Sequence, residues 1–146
     1  MSSSTTSMLK LEDKDVQFLN SMNVARLATI DNERNAPHVV PIIYAFDNKN
    51  SKFYLTTFKG TKKLRNMQQN KSISIVVDEY SKSAKKGIMF RGRAEVINPN
   101  TNEFRHAVKL LTDKLAYYKK NPISPDKSEV ISIALISNSK WELPPD

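Results

Sequence analysis

The segment from Phe53 to Asn66 carries the side chains of this sequence that are best suited to bind an anion. It predicts a strand, a loop that contains Gly60 and then a helix, and the polar side chains around the loop are Thr56, Thr57, Thr61, Lys62 and Lys63. The first turn of a helix offers unpaired N–H groups and a partial positive charge, to which hydroxyls and lysines add donors. The segment therefore predicts a phosphate site. It is not a P-loop, because Gly-x-x-x-x-Gly-Lys-Ser/Thr is absent.

Few other residues suit catalysis or metal binding. The sequence has no cysteine, which excludes a disulfide scaffold, a thiolate-bound metal and a thiol nucleophile. Its two histidines, His38 and His106, lie at no spacing typical of a metal pair or a catalytic triad. We therefore predict no catalytic side chain and no metal ligand, and we assign an ordinary structural role to both histidines and a packing role to Trp141.

The net charge of +8 is concentrated in one part of the chain. The window from Lys59 to Arg93 contains ten basic residues and only two acidic ones, whereas the rest of the chain has no net charge. Such one-sided charge indicates an anionic partner. We expect the basic residues to face one groove with the predicted phosphate site, which favours a small anionic cofactor over nucleic acid. A basic barrel that binds single-stranded nucleic acid through interleaved aromatic side chains is the alternative.

Hydrophobic periodicity predicts a mainly β fold, a compact antiparallel barrel with helices packed outside. Strands are predicted over 23–30, 37–46, 53–57, 72–78, 87–98 and 129–137, and helices over 11–22, 62–70 and 101–120. The strand over 37–46 is almost continuously apolar, which predicts burial on both faces. Pro41 within it lacks an N–H group and predicts a bulge or an unpaired edge.

The length of 146 residues is typical of one domain. We predict a disordered, polar tail over residues 1–8 and a single domain over 9–146. The tail lacks the basic start and apolar run of a signal peptide, and no apolar stretch approaches the roughly 20 residues that span a bilayer. The sequence thus predicts a cytoplasmic protein without a membrane partner.

The order of the predicted elements is more specific than any one of them. The chain reads Ala36-Pro-His-Val-Val-Pro-Ile, then Phe53-Tyr-Leu-Thr-Thr, then Gly60-Thr-Lys-Lys-Leu-Arg-Asn-Met, then Ser72-Ile-Ser-Ile-Val-Val-Asp. This series resembles the pyridoxamine 5′-phosphate oxidase-like, FMN-binding split β-barrel family. The likeness covers residues 11–96 well, and the last strand and Trp141 loosely.

The resemblance implies a six-stranded split barrel that forms a homodimer, with FMN in grooves between the subunits. It implies that the second strand lines the flavin ring, largely through its backbone, at Val40, Pro41, Ile42 and Ile43. It also implies that Thr56 and Thr57 flank the ribityl phosphate and that Thr61, Lys62 and Lys63 hold it. The last implication agrees with the site inferred above from helix and charge.

The departures from the family pattern concern the substrate. Val40 and Ala45 stand where the oxidases themselves carry Arg and Lys, and the C-terminal Arg-x-His element is missing, so vitamin B6 oxidation is not expected. The leading hypothesis is a flavin-dependent oxidoreductase that transfers hydride through the flavin N5 atom. The alternatives are a reductase of the same fold that uses the deazaflavin F-420, and a flavin-binding protein without turnover.

Overall fold

The computed structural model describes residues 9–146, so the predicted tail over 1–8 lies outside the described residues. Its elements are α1 (Asp13–Ser21), β1 (Val24–Asp31), β2 (Ala36–Ile43), β3 (Ala45–Asp47), β4 (Lys52–Phe58), α2 (Lys62–Gln69), β5 (Ser72–Tyr80), β6 (Lys85–Val96), α3 (Asn102–Lys114), α4 (Ala116–Lys120) and β7 (Ser128–Leu143). Within this part of the chain, no helix is both long enough and apolar enough to cross a membrane.

All seven strands belong to one antiparallel sheet in the order β2-β1-β5-β6-β7-β4-β3. The two strands at opposite ends of this order, β2 and β3, are separated in the chain only by Tyr44. The sheet must therefore curl until its two edges meet at Tyr44, although β2 and β3 do not pair with each other in the described sheet. This is a split barrel, and the predicted mainly β fold with flanking helices is confirmed.

The predicted strand over 37–46 is in fact two strands, which is why the sheet has seven strands and not six. The expected burial on both faces is wrong, because β2 is an edge strand and Val39 is 65% exposed. The prediction for Pro41 is confirmed, since it lies on this edge strand, where one side of the backbone needs no partner.

The barrel interior is built on alternate residues of the strands, as the period of two requires. Phe53 of β4 is fully buried at its centre. Its ring centroid lies 5.0 Å from that of Tyr44, and 5.3 Å from those of Phe46 and Phe90. Aromatic packing therefore links the residue at which the sheet edges meet to the middle of the sheet. Side chains of α1 and α2 complete this core, namely Phe18, Leu19, Leu64 and Met67.

The helix predicted over 101–120 is interrupted. Thr101 caps α3, accepting a hydrogen bond from the backbone N–H of Phe104 at 3.2 Å. Leu115 then takes an extended conformation, with φ −112° and ψ 113°, and the short helix α4 follows it. A second hydrophobic core, separate from the barrel interior, lies between α3 and the outer face of β4. Leu115 and Tyr118 are both buried in this core. The buried face that the sequence predicts therefore continues across the interruption, from Leu111 through Leu115 to Tyr118.

Helix α1 is held by residues from distant parts of the chain. The ammonium group of Lys140 lies 2.8 Å from Asp15 and 3.3 Å from Glu12. The ammonium group of Lys114 donates a hydrogen bond to the carbonyl of Met22, which ends α1, at 2.6 Å. Burial lowers the pKa of Lys114 to about 8. The first helix of the domain is thus fixed by α3 and by the last strand.

The last strand is longer than expected. The sequence predicts a strand that ends at residue 137, but β7 pairs with β6 up to Leu143, so the predicted end of the strand is wrong. A register shift between Arg91 and Gly92 lets the pairing continue past the bulge. This pairing places Trp141 opposite Gly87, where a Cβ atom would overlap the indole ring. Gly87 thus provides the surface on which Trp141 packs.

Replacing Gly87 with alanine is expected to push the Trp141 ring away from the sheet. The cost is about 1 kcal/mol, because the ring is partly exposed and can move. Trp141 is the only tryptophan, so its fluorescence emission should shift to longer wavelength. An unchanged spectrum would contradict this packing. Ser83→Ala, in the exposed turn between β5 and β6, is the control.

Candidate functional site

The loop between β4 and α2 brings the hydroxyls of two threonines together. Thr61 caps α2, accepting a hydrogen bond from the backbone N–H of Leu64 at 3.4 Å. Its hydroxyl lies 2.6 Å from that of Thr57. Gly60, just before the cap, has φ +85°, a conformation that favours glycine. The predicted strand, turn and helix start are therefore present as expected from the sequence.

This helix start forms one wall of a groove of about 600 Å³, a size typical of cofactor sites. The end of β4, α4 and the loop over residues 121–128 form the other walls. Among the predicted site residues, those that line the groove are Ile43, Thr56, Thr57 and Lys63. The hydroxyl of Thr56 is bonded to that of Tyr118 at 2.7 Å, which ties β4 to α4.

Lys62 and Lys63 are neighbours in sequence but differ in their surroundings. The ammonium group of Lys62 lies 2.6 Å from the Asp31 carboxylate. Lys63 lines the groove and is half-buried, and among residues 9–146 its ammonium group has no hydrogen bond or ion pair. Burial lowers the pKa of Lys63. A half-buried cation without a counter-ion is the arrangement expected of a group that binds an external anion.

The partner of Lys62, Asp31, is a strongly bonded carboxylate. The Lys62 ammonium group, and also Arg34 and its backbone N–H, hold the pKa of Asp31 well below its usual range. The side chain of Asp31 is almost fully buried at the end of β1. It therefore anchors the start of α2 to the barrel.

Replacing Asp31 with asparagine is expected to reduce the acid sensitivity of the fold. A carboxyl with a lowered pKa in the folded state stabilises the protein above its unfolded pKa, and this stabilisation is lost as the pH falls through the folded value. Urea unfolding midpoints of the wild-type protein should therefore fall more than those of D31N between about pH 5 and pH 2. Equal pH dependence in the two proteins would contradict the assigned role.

Of the remaining predicted site residues, Thr61 and Lys62 begin α2 without lining this groove, and the other three lie on β2 outside it. Ile42 is buried in the barrel core, and Val40 packs against that core. Pro41 is exposed on the edge strand. Only Ile43, at the end of β2, reaches the groove. The groove and the outer edge of β2 are thus adjacent parts of the surface that meet at Ile43.

The expectation that the basic window faces one groove is wrong. Lys71, Lys86 and Arg91 each line a different groove. The basic residues that join Lys63 are Lys120 and Lys127, which come from outside the window. Sequence reasoning missed both, because they reach the groove through tertiary contacts. Tyr118 of α4 is hydrogen-bonded to Thr56 of β4, and the carbonyl of Lys127 accepts a hydrogen bond from the backbone N–H of Lys59.

Neither histidine contributes to the groove. His106 lies with its Nε2 atom 2.8 Å from the Asp47 carboxylate. Burial raises the pKa of Asp47, but the bonds from His106 and Asn50 outweigh this and leave it lowered. Across residues 9–146, no group of three or more His, Asp and Glu side chains is arranged to hold a metal ion.

One known family model matches most of the chain. Residues 11–136 match the family model described as pyridoxamine 5′-phosphate oxidase. A search of curated protein sequences found no match.

Solved structures with the same fold bind different groups. An FAD-binding protein from Mesorhizobium loti has a TM-score of 0.71 at 23% identity, over 91% of this chain and 96% of that one. HutZ, a heme storage protein from Vibrio cholerae, has a TM-score of 0.75 at 14% identity, over 92% and 95%. A Listeria innocua protein provisionally assigned as a pyridoxamine 5′-phosphate oxidase has 0.68 at 17%, over 92% and 98%. At such identities the likeness shows a shared fold and not a shared ligand.

Proposed function

Because the chain belongs to the pyridoxamine 5′-phosphate oxidase family, we propose that it is an FMN-binding oxidoreductase whose groove at the start of α2 holds the flavin phosphate. The observation that carries this proposal is Lys63, a half-buried cation without an anionic partner among the described residues. Beside it stand the hydroxyls of Thr56 and Thr57. This donor set fits a phosphate, which supplies the missing counter-charge and accepts several hydrogen bonds.

In this proposal, each part of the chain has a defined task. Lys63 binds the phosphate beside the hydroxyls of Thr56 and Thr57, while Thr61 caps α2 and holds the Thr57 hydroxyl in place. Lys62 anchors α2 to the barrel through its ion pair with Asp31, and its positive charge lies next to the phosphate without contacting it. Val40, Pro41 and Ile42 present the outer edge of β2 to the flavin ring, which is supported by the unpaired backbone of an edge strand. When bound, the flavin supplies hydride transfer through its N5 atom.

We further propose that the protein is a homodimer with the cofactor at the subunit interface. The supporting observation is the exposure of large apolar side chains on the sheet, outside the groove, with Val39 of β2 at 65% and Ile136 of β7 at 55%. Sedimentation should give twice the mass of one chain. Val39→Lys, on the edge strand, should shift the equilibrium towards the monomer, and a monomeric wild-type protein would contradict the proposal.

Heme is a poorer fit to the groove than a flavin. The protein ligands that hold heme iron are usually His, Cys, Met or Tyr. None of the described residues that line the groove is His, Cys or Met. Of its two tyrosines, Tyr118 is already bonded to Thr56. The lysines and hydroxyls of the groove are suited to a phosphate instead.

Titration with FMN, the deazaflavin F-420 and heme tests the proposal directly. We expect FMN to bind one per chain, seen as a change in flavin fluorescence and absorbance, and the bound flavin to be reduced by a nicotinamide donor. Tighter binding of F-420 would assign the protein to deazaflavin chemistry. Binding of neither flavin, together with salt-dependent binding of oligonucleotides, would overturn the proposal in favour of a nucleic-acid-binding barrel.

A further inference from the structure

The groove contains two cations besides the one assigned to the flavin phosphate. Lys63 belongs to α2, whereas Lys120 ends α4 and Lys127 lies in the loop before β7, so the two lie on other walls of the groove. Both side chains are exposed, and among residues 9–146 neither ammonium group has an ion pair or a hydrogen bond. Other lysines of the described chain are paired with carboxylates, as Lys52 is with Glu103. Two unpaired cations beside a cofactor phosphate indicate that a second anion binds here.

The groove also lacks a carboxylate that would repel such an anion. None of the described lining residues is acidic. The loop over residues 121–128 contains one acidic residue, Asp126, and Asp126 does not line the groove. In dinucleotide-binding folds, a carboxylate bonds the ribose 2′-hydroxyl of NADH, whereas a cation accommodates the 2′-phosphate of NADPH. The charges of this groove therefore match the phosphorylated nucleotide.

The two lysines are carried by an ordered backbone. The carbonyl of Lys127 accepts a hydrogen bond from the N–H of Lys59 at 3.0 Å, and its own N–H donates to the carbonyl of Ser124 at 3.0 Å. Lys120 belongs to α4, which the Tyr118 hydroxyl ties to β4. The positions from which the two side chains reach the groove are thus fixed by tertiary contacts.

An exposed aromatic ring lies near these cations. Tyr117 lines the groove and is 51% exposed, three residues before Lys120 on the same helix. Its ring packs edge-on against that of Tyr118, with centroids 5.2 Å apart, so it is supported from one side and open on another. Exposed rings beside cations are typical of surfaces on which a nucleotide base stacks. The groove thus offers contacts for both the base and the phosphate of a nucleotide.

We propose that the electron donor of this protein is NADPH, and that Lys120 and Lys127 select it over NADH by binding its ribose 2′-phosphate. Tyr117 stacks on the adenine ring. The inference rests on the proposed function, because the hydride acceptor is FMN with its phosphate at Lys63. In this step the C4–H bond of the dihydronicotinamide breaks, and the hydride with both electrons forms the N5–H bond of the flavin. NADPH is oxidised to NADP⁺ and FMN is reduced to the anion FMNH⁻, so atoms and charges balance.

Two nucleotides that differ only in the 2′-phosphate, 2′,5′-ADP and 5′-AMP, test the site without catalysis. In isothermal titration, with and without FMN, we expect the wild type to bind 2′,5′-ADP about tenfold more tightly than 5′-AMP. The double variant Lys120→Ala/Lys127→Ala should bind both equally and keep its FMN affinity within about threefold. The control Lys49→Ala/Lys119→Ala removes the same charge from exposed side chains outside the groove and should keep the preference.

Reduction of the bound flavin measures the same preference in the reaction. Under anaerobic conditions, the loss of flavin absorbance should be about tenfold faster with NADPH than with NADH at equal, subsaturating concentrations. In Lys120→Ala/Lys127→Ala, the NADPH rate should fall to the NADH rate, which stays within about threefold of the wild type. Tyr117→Leu should weaken 2′,5′-ADP and 5′-AMP alike, by about tenfold, because both carry the adenine ring.

The outcomes separate the inference from the function on which it rests. Equal affinity for the two probes, or equal reduction by NADPH and NADH, in a wild type that binds FMN would overturn the inference and leave the flavin proposal standing. A larger loss of FMN affinity in the double variant would also overturn it, because the two lysines would then belong to the flavin phosphate. Failure of the wild type to bind FMN would overturn both. Unchanged nucleotide affinity in Tyr117→Leu would contradict the stacked base.

Discussion

Replacing Lys63 with alanine is expected to weaken flavin binding by about 10- to 100-fold, the range of a charge-assisted hydrogen bond. The reason is that Lys63 is the half-buried cation of the groove and has no protein anion to bind among the described residues. Burial without a partner lowers its pKa. Its removal should therefore leave the free energy of unfolding unchanged or slightly higher, while flavin affinity falls.

Arg65→Ala is the matched control for this experiment. Arg65 is an exposed cation of the same helix and lies two residues away, on another face. It removes the same charge without touching the groove, so flavin affinity should stay within about threefold. Isothermal titration of both variants, with urea unfolding in parallel, checks the prediction. Equal affinities for K63A and the wild type would mean that the phosphate lies elsewhere.

Phe53→Ala is expected to cost about 3–5 kcal/mol of stability, the largest effect on the fold that we predict. Phe53 is fully buried and contacts the rings of Tyr44, Phe46 and Phe90. Removing the ring leaves a cavity at the centre of the barrel, next to the residue at which the two sheet edges meet. The surrounding strands cannot collapse into this cavity without losing their register.

The control is Phe58→Ala, on the same strand but 61% exposed. Its effect on the free energy of unfolding should be within about 0.5 kcal/mol. Chemical denaturation of both variants measures the difference. A change of less than about 1 kcal/mol in F53A would show that the ring stack contributes little to the barrel.

The elements that the sequence predicts well are those set by local patterns. The strand, the turn at Gly60 and the helix start before α2 depend on neighbouring residues, and they are found as predicted. The interruption at Leu115 leaves no trace in the periodicity, because Leu115 and Tyr118 are buried on both sides of it. The part of β7 beyond residue 137 could not be predicted either. Its residues are mostly polar and exposed, so they show no hydrophobic alternation, and they form a strand because they pair with β6.

The candidate site also combines residues that local sequence predicts with residues that only tertiary packing brings in. Thr57, Thr61 and Lys63 belong to one local segment, and their proximity follows from a strand that leads into a helix. Lys120 and Lys127 are more than fifty residues away in sequence and reach the groove through tertiary packing of α4. The burial of Val39 was overestimated for a related reason, since an apolar run does not reveal whether a strand lies at an edge or in the middle of a sheet.

The attachments of α1 bear on the order in which the chain folds during synthesis. The residues that hold this helix, Lys114 and Lys140, leave the ribosome some hundred residues after it. Contacts of such long sequence separation form late, because the intervening chain must first be ordered. We expect α1 to be made first and to dock last, closing one end of the barrel only once the final strand is in place. Until then, Phe18 and Leu19 have no completed core to enter.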